Sequence, residues 1–169
     1  MKSKGNLIHI VNEYSTSSGA IDRAQYIDQD KYRITLVVYY DFNKDEASRL
    51  SSDIDVINLG AKSRFDFKAW RRLWNLLTDV PNNTIVHTHH HLTGILSRLI
   101  KLFGPKFKLI HSFGNRYSEF SRLARLSHLL TIPMLDYLIC VSESVKGSLG
   151  FLEKKLLKGK IGIVYNGVD

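Results

Sequence analysis

The chain has very little cysteine: Cys140 is the only one among its 169 residues. A single cysteine excludes an internal disulfide and is compatible with a reducing cytosol. Cys140 lies in the apolar run 137–141, and nothing in the flanking sequence would lower its pKa. We therefore expect a buried side chain rather than a reactive thiol.

Long apolar runs are also missing. No stretch approaches the roughly 20 residues needed to cross a bilayer, so we expect no membrane-spanning segment. The apolar run that follows the basic residues at the N-terminus is too short for a signal peptide. The expected location is the cytoplasm, at the inner face of the membrane if the protein binds lipid.

Acidic residues are scarce, with 16 Asp and Glu against 24 Lys and Arg, which gives a net charge of +8. Such a charge attracts nucleic acid, an anionic membrane or a phosphorylated ligand, and it is also found on basic proteins without an acidic partner. The basic residues are scattered and form no recognised aromatic-basic module, which argues against nucleic acid.

Short apolar segments alternate with helical patterns along the whole chain, without repeats or low-complexity linkers. The length and the 44% hydrophobic content suit one globular domain spanning residues 1–169. Predicted strands lie at 7–11, 33–40, 54–60, 84–88, 107–113, 137–141 and 161–165. Predicted helices lie at 20–27, 67–77, 92–103 and 119–130, with a short one after Ser142. This alternation predicts an α/β fold: a Rossmann-like, doubly wound, mostly parallel sheet with helices on both faces.

Ligands of such folds bind beyond the carboxyl ends of the strands, where the strand order reverses. The loops that follow the predicted strands are therefore the places to look for a site. They are residues 12–19, 89–91, 114–116, 142–143 and 166–167.

Three of these strand-loop segments carry motifs. Residues 85–91 read as a strand followed by His-x-His, and residues 136–144 as an aspartate, an apolar strand and Val-Ser-Glu. Residues 160–169 end in Val-x-Asn-Gly-Val-Asp. Taken in this order, the segments resemble the N-terminal domain of the retaining, family 4-like glycosyltransferases, which have two Rossmann-like domains (the GT-B fold).

The resemblance implies a division of labour between two domains. The N-terminal domain holds mainly the acceptor, a glycan or lipid-linked molecule of cell-envelope or polysaccharide synthesis. The C-terminal domain, absent from this sequence, holds a UDP- or GDP-sugar and carries a pair of glutamates. We therefore expect this domain to bind no cofactor, to need a donor domain in cis or as a separate chain, and to be inactive alone.

The same resemblance supplies candidate site residues. Where the family usually has paired glycines near the donor phosphates, this chain has Ser18 and Gly19, a hydroxyl and a turn-forming residue that suit a phosphate. The candidate acceptor cleft is formed by residues from the loops after the later strands: His89, His90, Asn115, Arg116 and Ser142.

One position departs from the family pattern. Gly114 stands where many members have a histidine important to the active centre, and His111 is too far back, within the predicted strand, to replace it. Either catalysis does not need that side chain or the chain is an altered copy. The alternative function is a non-catalytic domain that binds glycan, lipid or a partner chain.

The histidines at 87–91 raise the question of a metal. Alternation along a strand places His87, His89 and His91 on one face, if the strand extends that far. No cysteine or carboxylate lies nearby in sequence to complete a site, and the resembled enzymes generally need no metal. We therefore favour histidines that line the cleft and assign no metal; plain structural histidines are the first alternative and a metal site is the least favoured one.

Two segments combine arginines with apolar residues. In residues 70–74 we favour an amphipathic helix with its aromatic residues in the core, the alternative being an anionic membrane surface. Arg116, Arg122 and Arg125 form a second basic group, for which a role in binding a phosphate-bearing or lipid-linked acceptor stays open.

Overall fold

A computed structural model describes residues 4–14, 19–40, 42, 50 and 53–165. Within these residues, seven strands form one sheet, in the order β3-β2-β1-β4-β5-β6-β7, and all neighbouring strands are parallel. The strands are β1 (Gly5–Val11), β2 (Tyr32–Tyr40), β3 (Ile54–Ala61), β4 (Ile85–Thr88), β5 (Lys108–Phe113), β6 (Tyr137–Cys140) and β7 (Ile161–Ile163). The predicted fold class is confirmed, with a sheet that is fully rather than mostly parallel.

Six α-helices connect the strands in the described part of the chain. They are α1 (Gly19–Tyr26), α2 (Phe67–Thr78), α3 (His91–Leu102), α4 (Arg122–Thr131), α5 (Glu143–Gly147) and α6 (Phe151–Leu156). Local chemistry sets several of their ends. The Asp66 carboxylate accepts from the amides of Lys68 and Ala69 at the start of α2, and Gly104, at φ 127°, follows the end of α3.

Most boundaries lie within two residues of the sequence-based prediction, and α6 was not predicted; two differences concern the segment around Ser121 and the last strand. The helix predicted at 119–130 is divided into a 3-10 turn (Tyr117–Glu119) and α4, because the Ser121 hydroxyl accepts from the amide of Ala124 and starts a new helix there. The last strand ends at Ile163 rather than at residue 165. Neither difference changes the topology.

The two faces of the sheet are covered by separate apolar clusters. Alternation along β1 sends Ile8 and Ile10 toward α2 and α3, whereas Val11 packs with Ile21 and Ala24 of α1. Helices therefore cover both faces, as predicted. The odd-numbered residues of β1, including His9, therefore lie on the face of the sheet that α1 covers.

The prediction that the aromatic residues of α2 lie in the core is only partly right. Leu73 and Leu77 are fully buried, but Trp74 is 38% exposed and Phe67 is 72% exposed. Trp70 is partly buried and donates from its ring nitrogen to the carbonyl of Arg64. The fully buried face of this helix is small and aliphatic, formed by Ala69, Leu73 and Leu77.

Cys140 is fully buried, and burial raises the pKa of its thiol to about 11. The prediction of an inert, buried side chain is confirmed. Among the residues that the structure describes, no helix is long and apolar enough to span a membrane.

Candidate functional site

The strand order reverses between β1 and β4, the two central strands. The chain runs from β1 outward to β2 and β3, and then returns to the other side of β1 with β4. The loops after β1 and β4 diverge at this point and leave a crevice at the carboxyl ends of the strands. Asn12 follows β1, while His89 and His90 follow β4.

Three histidines meet on the α1 face at this reversal. His9 of β1 and His87 of β4 are opposite one another in the parallel register. His89 comes two residues after His87, and its amide donates to the carbonyl of Ile10, which continues the pairing of β4 with β1 beyond the end of the strand. The alternation of an extended chain therefore directs all three side chains to one face. We call His9, His87 and His89 the histidine triad.

The triad is closely packed. His9 Nδ1 and His89 Nε2 are 2.9 Å apart and share a hydrogen bond. The ring centroids are 5.1 Å apart for His9 and His87, 5.2 Å for His9 and His89, and 4.1 Å for His87 and His89. His87 Nε2 also lies 2.8 Å from the hydroxyl oxygen of Ser112 on β5. One nitrogen from each ring falls within 4.8 Å of the other two.

The opposite face of the sheet carries a second polar group, which surrounds a buried arginine. Arg98 of α3 is fully buried and donates to His128 Nδ1 at 2.6 Å and to the hydroxyl of Thr131 at 3.3 Å. Its Nε and Nη2 atoms have no hydrogen-bond partner, and the described residues place no carboxylate within salt-bridge distance of it. Burial lowers the pKa of Arg98 to about 9, so it remains a cation at neutral pH.

The histidines around Arg98 are neutral. Burial, together with the Arg98 charge, lowers the pKa of His128 to about 2 and moves the pKa of His111 well below its ordinary value. The same two causes lower the pKa of His91. Since Arg98 can only donate, His128 Nδ1 is an acceptor and the ring proton is on Nε2.

A cleft of about 400 Å³ opens above these groups at the carboxyl ends of β1, β4 and β5. Burial lowers the pKa of His90, against the opposing charge of Glu13, so this ring also tends to be neutral. The lining combines imidazoles, amides and two aromatic rings: Asn12, His89, His90, His91, His111, Ser112, Phe113, Gly114, Asn115 and Phe120.

The structure brings some of the predicted site residues together and separates others. His89, His90 and Asn115 line the cleft with Gly114. Arg116 is exposed beyond them, and Ser142 uses its hydroxyl to accept from the amide of Val145 at the start of α5. His91 begins α3, so the strand does not extend that far and the condition under which His91 would share a strand face with His87 is not met.

Two further predicted positions involve the loop after β1 and the C-terminus. Gly19 is the first residue of α1, which suits its predicted place near a phosphate. Ser18 and residues 166–167 lie outside the described residues.

The second basic group does not form one surface with the cleft. Arg122 and Arg125 line a separate hollow of about 400 Å³ beside Glu153, whereas Arg116 is not part of its lining. Glu153 is buried there and accepts a hydrogen bond from the Tyr117 hydroxyl at 2.7 Å.

Sequence reasoning missed His9, Arg98 and His128, whereas Asn12 lies in the loop 12–19 that it marked as a place to look for a site. The parity of β1 and the strand order together place His9 beside His87, but the order of strands is not readable from one sequence. Arg98 and His128 have the spacing of ordinary helix-surface residues, and no sequence signal marks them as buried.

A parallel sheet with a polar cleft at its strand-order reversal defines a Rossmann-like ligand-binding domain. The chain belongs to Glycosyltransferase Family 4, whose sequence profile matches residues 16–169. The family resemblance inferred from the motifs is thereby confirmed. Comparison with curated protein sequences gave no match.

Solved structures with the same fold include three sugar-related proteins. Anabaena HepE, in complex with UDP and glucose, superposes with a TM-score of 0.69 at 11% identity over 98% of this chain and 45% of its own. The UDP-GlcNAc 2-epimerase of Methanocaldococcus jannaschii has a TM-score of 0.59 at 19% identity, over 95% and 45%. The N-terminal domain of Candida albicans trehalose-6-phosphate phosphatase has 0.65 at 10% identity, over 100% and 50%. The chain thus spans about half the length of the structures that it matches.

Proposed function

We propose that this chain is the acceptor-binding half of a retaining glycosyltransferase. The complete enzyme moves a sugar from a UDP- or GDP-sugar to a glycan or lipid-linked acceptor in cell-envelope or polysaccharide synthesis, at the cytoplasmic face of the membrane. The observation that carries the proposal is the cleft lined by His89, His90 and Asn115 at the strand-order reversal of a family 4 domain.

The chemistry of the cleft suits a sugar hydroxyl. A neutral imidazole has one donor and one acceptor, as does a hydroxyl group, and the lowered pKa of His90 favours this neutral form. The Asn115 side chain, which also lines the cleft, adds two donors and an acceptor. Aromatic rings such as Phe120 supply the apolar surface on which a sugar ring packs.

The donor requires a second domain, in cis or as a separate chain. The family 4 assignment supports this arrangement, as does the match of this chain to only 45% of the length of Anabaena HepE. The amides at the start of α1, which begins at Gly19, are suited to approach a donor phosphate across the interdomain cleft.

An anionic membrane surface is the second proposed partner. Four exposed rings, which we call the aromatic patch, are Phe65, Phe67, Trp74 and Phe103, at 61%, 72%, 38% and 70% respectively. Phe65 and Phe67 each contact Trp70, and Trp74 contacts Phe103. Exposed Arg71 and Lys68 lie on the same helix as two rings of the aromatic patch. Large rings combined with basic residues bind anionic bilayers.

The test uses the complete enzyme with its donor half. It is incubated with a panel of UDP- and GDP-sugars and lipid-phosphate acceptors, and the product is analysed by mass spectrometry and by the NMR coupling of its new anomeric proton. We expect one donor to be transferred with retention, and Arg116→Ala to weaken acceptor binding in calorimetry without unfolding the domain. Unchanged affinity would remove Arg116 from the site, and an inverted product would overturn the stereochemistry.

The alternative, a non-catalytic domain that binds glycan, lipid or a partner chain, is favoured by one observation: glycine at position 114. Acceptor binding in the absence of transfer with any donor would establish this alternative. Absence of both binding and transfer would overturn the two proposals together.

A further inference from the structure

The histidine triad has the composition and spacing of a transition-metal site. We propose that His9, His87 and His89 bind one divalent metal ion, with Zn²⁺ as the principal candidate, through three imidazole nitrogens and with a fourth position open to an exogenous ligand. The proposal is independent of the sugar-transfer function and departs from the expectation, drawn from sequence alone, that no metal is bound.

The first argument is distance. Nitrogens bonded to one tetrahedral zinc at about 2.0–2.1 Å lie about 3.4 Å from each other. His9 Nδ1 and His89 Nε2 already face one another at 2.9 Å. One nitrogen from each of the three rings lies within 4.8 Å of the other two. Movements of the rings by about half an ångström to one ångström bring all three nitrogens to zinc-binding separations.

The second argument is rigidity. His9 and His87 are directly paired across the two central strands of the sheet. His89 is held by its backbone hydrogen bond to Ile10. Ligands fixed on paired strands lose little conformational entropy when an ion binds, and they keep their geometry better than ligands on a loop.

The third argument concerns the groups around the ligands. Imidazoles that bind a metal usually hydrogen-bond through their other nitrogen, which fixes the ring orientation. With His87 Nδ1 as the proposed ligand, Ser112 supplies such a contact to the other ring nitrogen, Nε2, at 2.8 Å. Within the described residues, no carboxylate or thiol joins the triad, and three neutral imidazoles favour Zn²⁺, Co²⁺, Ni²⁺ or Cu²⁺ over Mg²⁺ or Ca²⁺.

The proposed metal site lies next to the cleft. His89 belongs both to the triad and to the lining of the cleft. A site with three protein ligands leaves a coordination position for water or an anion. An ion held by the triad therefore presents positive charge to the cleft from the α1 side of the sheet.

The experiment is a titration of the chain, prepared without a histidine tag, with Co²⁺ as a spectroscopic substitute for Zn²⁺. We expect one Co²⁺ per chain, the strong visible absorption of a low-coordinate ion, and its displacement by Zn²⁺. His89→Gln and His87→Gln should each weaken Co²⁺ binding by roughly 100-fold or more, since even outer contacts contribute about 10- to 100-fold.

The matched control is His90→Gln, which changes the neighbouring histidine of the same cleft but leaves the triad intact. Its affinity should stay within about threefold of the parent chain, a change of about 0.7 kcal/mol. The proposal is overturned if Co²⁺ does not bind the parent chain at about 1 mM, or if His90→Gln loses as much affinity as His89→Gln.

Both glutamine variants are in a packed region, so their folding is checked by circular dichroism. X-ray absorption of the zinc-loaded parent chain gives a result that needs no variant. Three imidazole ligands at about 2.0–2.1 Å support the site. A spectrum with one imidazole or none contradicts it, whatever the variants show.

Discussion

The neutral histidine beside Arg98 predicts a specific dependence of stability on pH. Burial lowers the pKa of His128 from 6.5 to about 2 in the folded chain. Between these values the unfolded chain binds a proton that the folded chain does not, so the free energy of unfolding falls as the pH falls below about 6.5. Protonation of His128 in the folded chain would also place an N–H on Nδ1, where it would face the Arg98 guanidinium, which is itself a donor.

The magnitude follows from the proton linkage relation. For one histidine that titrates at 6.5 only when unfolded, the free energy of unfolding drops by about 1.4 kcal/mol between about pH 7.5 and 5.5, and by about 2.7 kcal/mol at about pH 4.5. His111, whose pKa is also well below 6.5, adds to the loss in the same direction. Native stabilities of about 5–15 kcal/mol make losses of this size easy to detect.

The assay is urea unfolding at several pH values for the parent chain and for His128→Asn. The asparagine oxygen can accept from Arg98 in place of Nδ1 but does not titrate. We expect the parent chain to lose about 1.4 kcal/mol more than the variant between about pH 7.5 and 5.5, because carboxylates titrate in both chains and cancel.

The control for this experiment is Ile132→Val, at a fully buried neighbouring position without a titratable group. It should lower stability by about 0.5–1.5 kcal/mol at every pH and leave the slope unchanged. If His128→Asn also leaves the slope unchanged, within about 0.4 kcal/mol over two pH units, His128 is not held neutral and the reasoning fails.

Three further substitutions test other contacts. Gly94→Ala should destabilise the chain by about 1–3 kcal/mol in urea unfolding, because a Cβ atom there would lie 2.7 Å from Cε1 of the buried His111 ring; a neutral result would show that the ring can move. Gly114→His should leave stability within about 0.5 kcal/mol, since a Cβ atom at Gly114 meets none of the described residues within 4 Å; a loss above about 2 kcal/mol would mean that this glycine is required for packing. Phe103→Ser should reduce binding to vesicles rich in phosphatidylglycerol by about tenfold, whereas Phe151→Ser, 79% exposed on α6, should not; equal effects in sedimentation would remove the aromatic patch from the membrane surface.

The fold was largely predictable from the sequence because each buried parallel strand is a short apolar run bounded by polar residues. Strand β5, with Leu109, Ile110 and Phe113, is an example. Helix boundaries near Ser121 were less accurate, since a capping hydroxyl decides the start of α4 and nearby Glu119 fits a helix equally well.

The candidate site was predictable only in part. Residues that directly follow strands, such as His90 and Asn115, are placed by the rule for parallel sheets. The burial of Arg98 could not be predicted by that rule, because a charged residue on a helix is normally solvated. Its position also depends on how α3 packs against α4. To place His9 in the site, one needs the order of the strands in the sheet as well as their positions in the sequence.

The central position of β1 has a consequence for the order of events in folding. Its two neighbours are β2, which follows closely, and β4, whose His87 is 78 residues (87 minus 9) beyond its partner His9. Closing a loop of that length has an entropic cost of about 4 kcal/mol beyond that of a minimal contact. A growing chain can form the β3-β2-β1 part of the sheet early. The other edge of β1 stays unpaired until β4 has been synthesised. Until then, a strand that is interior in the native sheet has an open edge, and the contact between the His9 and His87 rings forms only when the two halves of the sheet join.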